Sequence, residues 1–229
     1  MSADNPKAQQ RSHVLCVLAT ASQGNEAQFE RMYLDPAFRA ELGQHEAVVD
    51  VRVFKRSPVD LSGGMGQSLD FTHLTLLDLR VDGAEDAVPA IDHVAAVHGQ
   101  SGVAKDPATW LFRPVTEKVG DTGAAPKPLA VFAFTNGVPG KRDEYLEFYA
   151  TRHIRHALYI STFAGSQLTQ KTSFQKPGRL PIDDFECLTC YDLVGTAEEL
   201  PAGVAAVRDR LAFPLLDHVR FAEYICERI

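Results

Sequence analysis

Two nine-residue stretches of the chain, FTHLTLLDL (71–79) and FECLTCYDL (185–193), carry Phe, Leu, Thr, Asp and Leu at the same five places. Each stretch is short and rich in apolar residues, which is typical of a buried strand. A strand that recurs with its pattern intact indicates an internal repeat, so the sequence on either side of both copies should repeat as well.

The same order of elements surrounds both copies: strand, helix, strand, strand, helix, strand. The first half predicts a strand at 13–21, a helix over about residues 25–42, strands at 47–55 and 71–79, a helix at 85–99 and a strand at 109–117. The second half predicts a strand at 129–135, a helix at 144–160, strands at 164–172 and 185–193, a helix at 197–212 and a strand at 219–228. The stretch VGDTGAAPKP (119–128) has the Gly, Ala and Pro content of a linker. We therefore predict a disordered lead-in (1–12), a first repeat (13–118), this linker and a second repeat (129–229).

The order β-α-β-β-α-β is that of the ferredoxin-like unit, an α+β arrangement. Right-handed crossovers place both helices on one face of a four-stranded antiparallel sheet and leave the other face bare. The strand LAVFAFT (129–135) is apolar at both alternations, so both faces of its sheet must be covered. We predict two ferredoxin-like repeats packed sheet to sheet as an intramolecular α-β barrel.

Composition and charge exclude several classes of protein. The net charge of −7 and the lack of a basic cluster argue against nucleic acid as a partner. No apolar run approaches the roughly 18 residues that a membrane span needs, and the polar start lacks the apolar core of a signal peptide, so the expected location is the cytoplasm. Cys187 and Cys190 form a CxxC inside a strand, where residues three apart point to opposite faces, so we expect no metal site there.

The stretch FYATRHIRHAL (148–158) on the first helix of the second half carries a recognisable pattern. Together with the tandem unit it resembles the dimeric α-β barrel superfamily, and in particular its EthD-like branch. An aromatic-Tyr-x-x-x-His motif recurs there, and Phe148, Tyr149 and His153 match it. The resemblance implies a pocket between this helix and the sheet. It also implies an isomerase, cyclase, lyase or cofactor-independent monooxygenase acting on small, often aromatic compounds; other members have no assigned activity.

The two copies disagree at the histidines. Aligning 29–42 with 145–158 pairs Tyr33 with Tyr149, Ala37 with His153 and Ala40 with His156. The tyrosine is therefore at least partly structural, whereas the packing of the unit does not require the histidines. We predict a catalytic cluster with His153 as general base and Tyr149 and His156 as proton donors, in a pocket of the second half. The alternative is that both imidazoles are satisfied core residues.

Further residues are candidates for the pocket wall or for substrate contacts: His73, Trp110, Phe148 and Arg179. Arg179 belongs to a loop, FQKPGRLPIDD (174–184), that could meet an anionic substrate. The glycine-rich SGGMG (62–66) is a candidate lid. The other histidines read as surface or strand-end residues: His13, His45, His93, His98 and His218.

The function that the sequence favours is a cofactor-independent lyase or isomerase acting on a small, largely apolar, oxygenated or aromatic compound. No motif for a nucleotide or a metal appears in its required structural context, so we expect no cofactor and no metal. Heme is a further possibility, because a distant branch of the superfamily binds it. Two alternatives stay open: a non-catalytic ligand-binding or stress-response barrel, and a cofactor-independent monooxygenase. A small molecule is the expected partner, and the chain should be a monomer or a homodimer.

Overall fold

The computed structural model describes residues 11–62, 66–105, 107–121, 127–172, 185–207 and 213–229. Its strands are β1 (His13–Ala19), β2 (Val48–Arg56), β3 (His73–Leu79), β4 (Ala108–Pro114), β5 (Val119–Gly120), β6 (Leu129–Thr135), β7 (Phe163–Lys171), β8 (Cys187–Leu193) and β9 (Ala222–Arg228). Its helices are α1 (Glu26–Leu34), α2 (Pro36–Leu42), α3 (Val88–Gln100), α4 (Arg142–Phe148), α5 (Ile154–His156) and α6 (Leu200–Val207). No helix within the described ranges is long and apolar enough to cross a membrane.

Eight strands form one closed antiparallel barrel in the order β4-β1-β3-β2-β9-β6-β8-β7, and β7 pairs back onto β4. The short β5 lies at the start of the predicted linker and adds to β7. Two ladders join the halves, β2 with β9 and β4 with β7, and each has three residue pairs. The predicted α-β barrel is therefore one continuous sheet whose two seams are short.

The alternation of side chains along the strands produces apolar cores on both faces of the sheet, one inside the barrel and the other beneath the helices. Alternate residues of strands from both halves fill the barrel interior, including Phe54, Trp110 and Phe132. The other alternation packs under the helices, for example Leu77 beneath the first-half helices and Ile225 beneath those of the second half. The interior is thus a packed apolar core, and a cavity has to form at its ends or outside it.

The prediction that Cys187 and Cys190 point to opposite faces of their strand is confirmed. Cys187 packs in the cluster beneath α4, and Cys190 packs against the barrel interior. Burial raises the pKa of both thiols to about 12, so both stay protonated near neutral pH. The recurring aspartates of the two strand copies form ion pairs: Asp78 accepts from Arg11 and Arg52, and Asp192 pairs with Lys118.

The single helix predicted over 25–42 is wrong, because the chain breaks at Asp35. The residue before a proline is disfavoured in the helical region, and Asp35 is extended (φ −75°, ψ 120°). Its side chain then caps α2, with the Ala37 amide donating to Asp35 Oδ1 at 2.8 Å.

The helix predicted over 144–160 is also interrupted. After α4 the chain forms a π-helical turn at Tyr149–His153, then α5, then a 3₁₀ turn at Ala157–Tyr159. A π turn adds a residue to one helical turn, so the side chains beyond it no longer follow a spacing of 100° per residue. His156 follows this turn, so its side chain does not lie where a regular helix would place it.

Candidate functional site

A cavity of about 750 Å³ lies beside the β2–β9 seam. The ladder between these strands ends at Arg56–Cys226, so the preceding residues of β9, Glu223 and Tyr224, face open space. We call this space the seam cavity. Its walls come from α1, the end of β2, the start of β3, the stretches 57–62 and 66–72, and β9.

The stretches 57–62 and 66–72, together called the roof, cover the cavity and are both anchored. The Ser57 amide donates to the Ile225 carbonyl at 2.8 Å, and the Gln67 amide donates to the Phe221 carbonyl at 2.7 Å. The Leu69 amide donates to the Tyr224 hydroxyl at 2.5 Å. The middle of the predicted SGGMG lid, residues 63–65, lies outside the described residues. The roof is held in place, so the cavity is preformed.

Glu223 is the most perturbed acid on the cavity wall. It lies on the strand alternation that packs beneath the helices, two residues from the fully buried Ile225. Burial alone raises the pKa of Glu223 to about 7, since no opposite charge or hydrogen bond among the described residues offsets the loss of water. A carboxyl group with this pKa exchanges protons readily at neutral pH.

His73 also lines the cavity, next to Glu30. Its ring is 1% exposed and lies 4.4 Å from the Tyr33 ring and 5.1 Å from the Phe29 ring. Burial lowers the pKa of His73 to about 4, so the imidazole is neutral. Nδ1 lies 3.1 Å from the Thr72 hydroxyl, while Nε2 is enclosed without a hydrogen-bond partner, 3.6 Å from Glu30 Oε2. If the hydroxyl donates to Nδ1, the proton sits on Nε2 and faces Glu30.

Tyr149 and His153 lie together beneath the π turn of the second half. Their rings are 4.7 Å apart, and the Tyr149 and Tyr191 hydroxyls form a buried hydrogen bond of 2.6 Å. Phe213 stacks flat on the His153 ring, with centroids 4.2 Å apart and planes at 8°. Burial lowers the pKa of His153 to about 4, and His153 Nδ1 is enclosed without a partner. The predicted pair therefore exists, but an aromatic ring covers it.

The remaining predicted residues do not join this pair as a single site. His156 stacks on Tyr159, which is 57% exposed, with ring centroids 5.6 Å apart, so it faces the surface side of the helix. Phe148 stacks on Phe213. Trp110 lies in the barrel interior, and Arg179 falls outside the described residues.

The predicted pocket lay in the second half, whereas the seam cavity lies beside the β2–β9 seam, where the two halves meet. Ala37 and Ala40, the first-half counterparts of His153 and His156, are both exposed, because the helix is interrupted at Asp35. The predicted substrate contact His73 does line the cavity, on the first-half wall.

The assignment of His98 to the surface is wrong. His98 is fully buried, its Nε2 lies 3.0 Å from the Tyr33 hydroxyl, and its Nδ1 lies 2.8 Å from the Val94 carbonyl. The signal was present in the sequence, because His98 continues the apolar stripe of α3 one turn after Val94.

The sequence-based predictions did not include Glu223, although the pattern of its strand could have indicated it. In the stretch FAEYICE (221–227) an acidic residue occupies the buried alternation of a strand, where charge is rare. The corresponding position in the first half, on β4, is Thr109. Such a carboxylate is either paired or perturbed, and the structure shows that it is perturbed.

The described residues do not fit a heme. An axial histidine needs free space beside its ring nitrogen for a porphyrin, and both low-pKa histidines lack that space. His73 Nε2 is enclosed and faces Glu30, with aromatic rings beside the imidazole. His153 has Phe213 against its face and Tyr149 at its edge. Nor do three or more His, Cys, Asp or Glu side chains converge on a metal-sized site in the described part of the chain.

A scan against protein-family models found no match, and a search of curated proteins found none. The fold does match solved structures. An anthrone oxidase-like protein is 11% identical with a TM-score of 0.57, covering 100% of this chain and 94% of that chain. A mutant chlorite dismutase from Candidatus Nitrospira defluvii is 11% identical with a TM-score of 0.56, covering 99% and 95%. A heme-binding protein from Thermus thermophilus is 11% identical with a TM-score of 0.52, covering 96% and 91%. At this level of identity the likeness concerns the fold alone, and that fold is the one shared by the dimeric α-β barrel and ferredoxin-like proteins.

Proposed function

We propose that the chain is a cofactor-independent enzyme, a lyase or an isomerase, that moves a proton on a small oxygenated compound bound in the seam cavity. One observation carries the proposal: an unpaired carboxyl group with a pKa of about 7 lines a preformed cavity. Perturbed titratable groups in a cleft are characteristic of acid–base sites.

The chemistry uses two groups that line the cavity, Glu223 and His73. Glu223 as carboxylate takes a proton from a carbon beside the substrate carbonyl, and the electron pair of that C–H bond moves towards the carbonyl oxygen. His73 is kept neutral by burial and can donate a hydrogen bond from Nε2 to the oxygen as its negative charge develops. For this to happen, Glu30 must turn away from Nε2, which it faces at 3.6 Å. Protonated Glu223 then returns the proton to another carbon, which completes an isomerisation, or a β-substituent leaves, which completes an elimination.

The test is exchange of substrate protons with solvent. A panel of small enones and β-keto compounds is incubated with the protein in D₂O, and loss of the proton signal is followed by NMR. Glu223→Gln keeps the shape but cannot accept a proton near neutral pH, so the exchange rate should fall by roughly 10²–10⁴-fold. The matched control is Glu227→Gln, an exposed glutamate on the same strand, which should exchange at the wild-type rate.

The pH dependence provides a second readout. A base must be deprotonated to act, so the rate in the wild-type protein should rise with pH through a value of about 7. Wild-type exchange in Glu223→Gln would contradict the proposal. Binding of these compounds without any exchange would instead favour a non-catalytic ligand-binding barrel, and oxygen consumption with an electron-rich phenol would favour a monooxygenase.

A second candidate site for the same chemistry is the pair Tyr149 and His153, with His156 nearby. The observation that favours it is the buried, unpartnered Nδ1 of His153. For this site to act, Phe213 must move away from the imidazole. In the exchange assay, loss of rate in His153→Gln with retention in Glu223→Gln would identify His153 as the base.

The finer family assignment is also part of this proposal. The motif Phe148-Tyr149-x-x-x-His153 supports membership of the EthD-like branch. The recurrence of FTHLTLLDL and FECLTCYDL at equivalent strands, β3 and β8, supports two copies of one unit that meet at the seams, with boundaries at 13–118 and 129–229. A cytoplasmic monomer or homodimer acting on a small molecule stays the expected context.

A further inference from the structure

Arg56 is a fixed cation on the wall of the seam cavity. It is the last residue of β2, at the point where the ladder with β9 ends. Its guanidinium carbon lies 4.3 Å from the Tyr224 ring centroid and 5.3 Å from that of Phe71, and Nη1 donates to the Leu69 carbonyl at 3.0 Å. Two aromatic rings and one hydrogen bond therefore fix the position of the charge before any ligand arrives.

The charge of Arg56 is also uncompensated. No carboxylate forms an ion pair with it within the described ranges, whereas the neighbouring cation Lys55 is paired with Glu30 at 2.7 Å. Of the other acids of the cavity, Glu26 accepts from the Gly24 amide, and Asp60 accepts from the amide and hydroxyl of Ser62. Glu223 also lines the cavity but forms no ion pair with Arg56 among the described residues. Among the described residues the guanidinium donates one hydrogen bond, to the Leu69 carbonyl, and it carries five N–H groups, so others can bind a planar acceptor.

We infer that Arg56 anchors a carboxylate on the ligand of the seam cavity, so that the compound is a small carboxylic acid. The inference rests on the proposed function for its setting and names the substrate class of the same site. Both aromatic rings lie on one side of the guanidinium, since their centroids are only 4.7 Å apart. The remaining N–H groups can therefore meet a ligand carboxylate in the bidentate geometry of an arginine–carboxylate pair. The single positive charge of Arg56 balances the one negative charge of a carboxylate. A phosphate dianion carries two negative charges and would need a second cation.

Benzoate, phenyl phosphate and benzyl alcohol are suitable probes, because they share a ring and differ in charge. Titrations followed by calorimetry or NMR should show binding of benzoate at millimolar concentration or below, with benzyl alcohol at least about tenfold weaker and phenyl phosphate no tighter than benzoate. Arg56→Gln should weaken benzoate binding by about 10–100-fold, the usual effect of losing a charge-assisted hydrogen bond. Arg56→Lys keeps the charge but loses the planar fork, so binding should be weaker than in the wild type and tighter than in Arg56→Gln.

Lys105→Gln is the matched control: it removes one positive charge from an exposed side chain outside the cavity wall and should leave benzoate binding unchanged. If Arg56→Gln does not fold, the inference is tested by comparing benzoate binding between the wild type and Arg56→Lys. Equal binding of benzoate by the wild type and both Arg56 variants, equal binding of benzoate and benzyl alcohol, much tighter binding of phenyl phosphate, or no benzoate binding at all would overturn the inference. Glu223→Gln separates the two proposals, because it should lose proton exchange while retaining benzoate binding.

Discussion

At the scale of single residues, loss of water acts on three buried titratable groups and favours the neutral form of each. Burial raises the pKa of Glu223 to about 7 and lowers the pKa of His73 and His153 to about 4. The shifts have opposite signs because the charged form is the deprotonated one for the acid and the protonated one for the imidazoles. Near neutral pH, Glu223 is therefore divided between acid and base, while both histidines are uncharged.

The histidine shift makes a prediction for acid stability. Because the folded-state pKa of His153 lies below its unfolded value of about 6.5, the unfolded chain binds more protons between these values. The stability from the neutral imidazole is fully present above pH 6.5 and is lost as the pH falls towards 4, by about 2–3 kcal/mol for this residue. Urea unfolding of His153→Gln should show a smaller loss over that range than the wild type.

The comparison at pH 8 is the internal control for this experiment. Both proteins carry a neutral side chain there, so the difference between them at pH 8 reports the lost packing against Phe213 alone. Parallel pH profiles of the two proteins between 6.5 and 4 would mean that His153 titrates normally and is not buried as described.

At the scale of the element, the β2–β9 ladder and the roof together make the cavity. The ladder has three pairs, so β9 continues past it with residues that pair with β6 but not with β2, and the roof bridges the gap. Gly66 holds the roof against β9 with a positive φ of 79°, and a Cβ there would clash with the Phe221 carbonyl oxygen. The closeness of the two backbones at this point requires glycine.

Gly66→Ala should therefore displace the roof. A left-handed φ costs an ordinary residue about 1–2 kcal/mol, and the clash with the Phe221 backbone adds to that cost. Gly24→Ala is the control, because Gly24 has a similar φ of 82° and nothing within 4 Å of the added methyl group. We expect Gly66→Ala to lose more free energy of unfolding than Gly24→Ala, and benzoate binding to weaken in Gly66→Ala alone. Equal losses in both variants would mean that the roof does not pack on β9.

The break between α1 and α2 gives an element-scale test that is independent of the cavity. The Asp35 side chain caps α2 through the Ala37 amide. Asp35→Ala should cost about 0.5–2 kcal/mol in free energy of unfolding, and Asp35→Asn, which keeps an acceptor, should cost much less. Denaturant unfolding measures both values, and equal stability of the two variants would argue against the cap.

At the scale of the whole molecule, the barrel interior is shared by the two halves. Phe54 of β2 meets Phe132 of β6 with ring centroids 5.0 Å apart, and Trp110 of β4 meets Phe134 of β6 at 5.8 Å. Neither half can bury its inner sheet face without the other, so we expect the chain to unfold as one cooperative unit.

Phe132→Ala tests this cooperativity across the halves. Phe132 is fully buried in the second half, and its truncation should cost about 3–5 kcal/mol. Trp110, the only tryptophan of the chain, lies in the first half and reports by fluorescence. The Trp110 transition should shift to lower denaturant together with the far-UV circular dichroism, while Leu34→Ala, at an exposed position, should move neither. An unchanged Trp110 transition in Phe132→Ala would show that the halves unfold separately.

Most of the fold could be predicted because its determinants are local and periodic. The recurring strands FTHLTLLDL and FECLTCYDL, the alternation of apolar residues and the element order were sufficient to predict a barrel. The helix interruptions at Asp35 and at Tyr149–His153 were missed, the first because the proline signal was not used. A π turn leaves no simple pattern in a sequence, so the spacing of His153 and His156 was misjudged.

The site was less predictable because it depends on a gap between strands far apart in sequence. Nothing local to Glu223 shows that the neighbouring ladder ends at Arg56, which lies in the other half of the chain. His73 was found because its strand face was clear, and Tyr149 and His153 were found as a pair. The covering of that pair by Phe213 could only come from the three-dimensional arrangement.

The most direct test of the central claim is the titration of the Glu223 carboxyl group in the full chain. Glutamate labelled with ¹³C at the side-chain carboxyl gives one NMR resonance for each residue, and the resonance that disappears in Glu223→Gln belongs to Glu223. We predict that it titrates with a pKa of about 7, whereas the exposed Glu227 serves as the reference on the same strand. A pKa for Glu223 near 4.3, the ordinary value for a glutamate in water, would contradict the assignment of this residue as the base of the seam cavity.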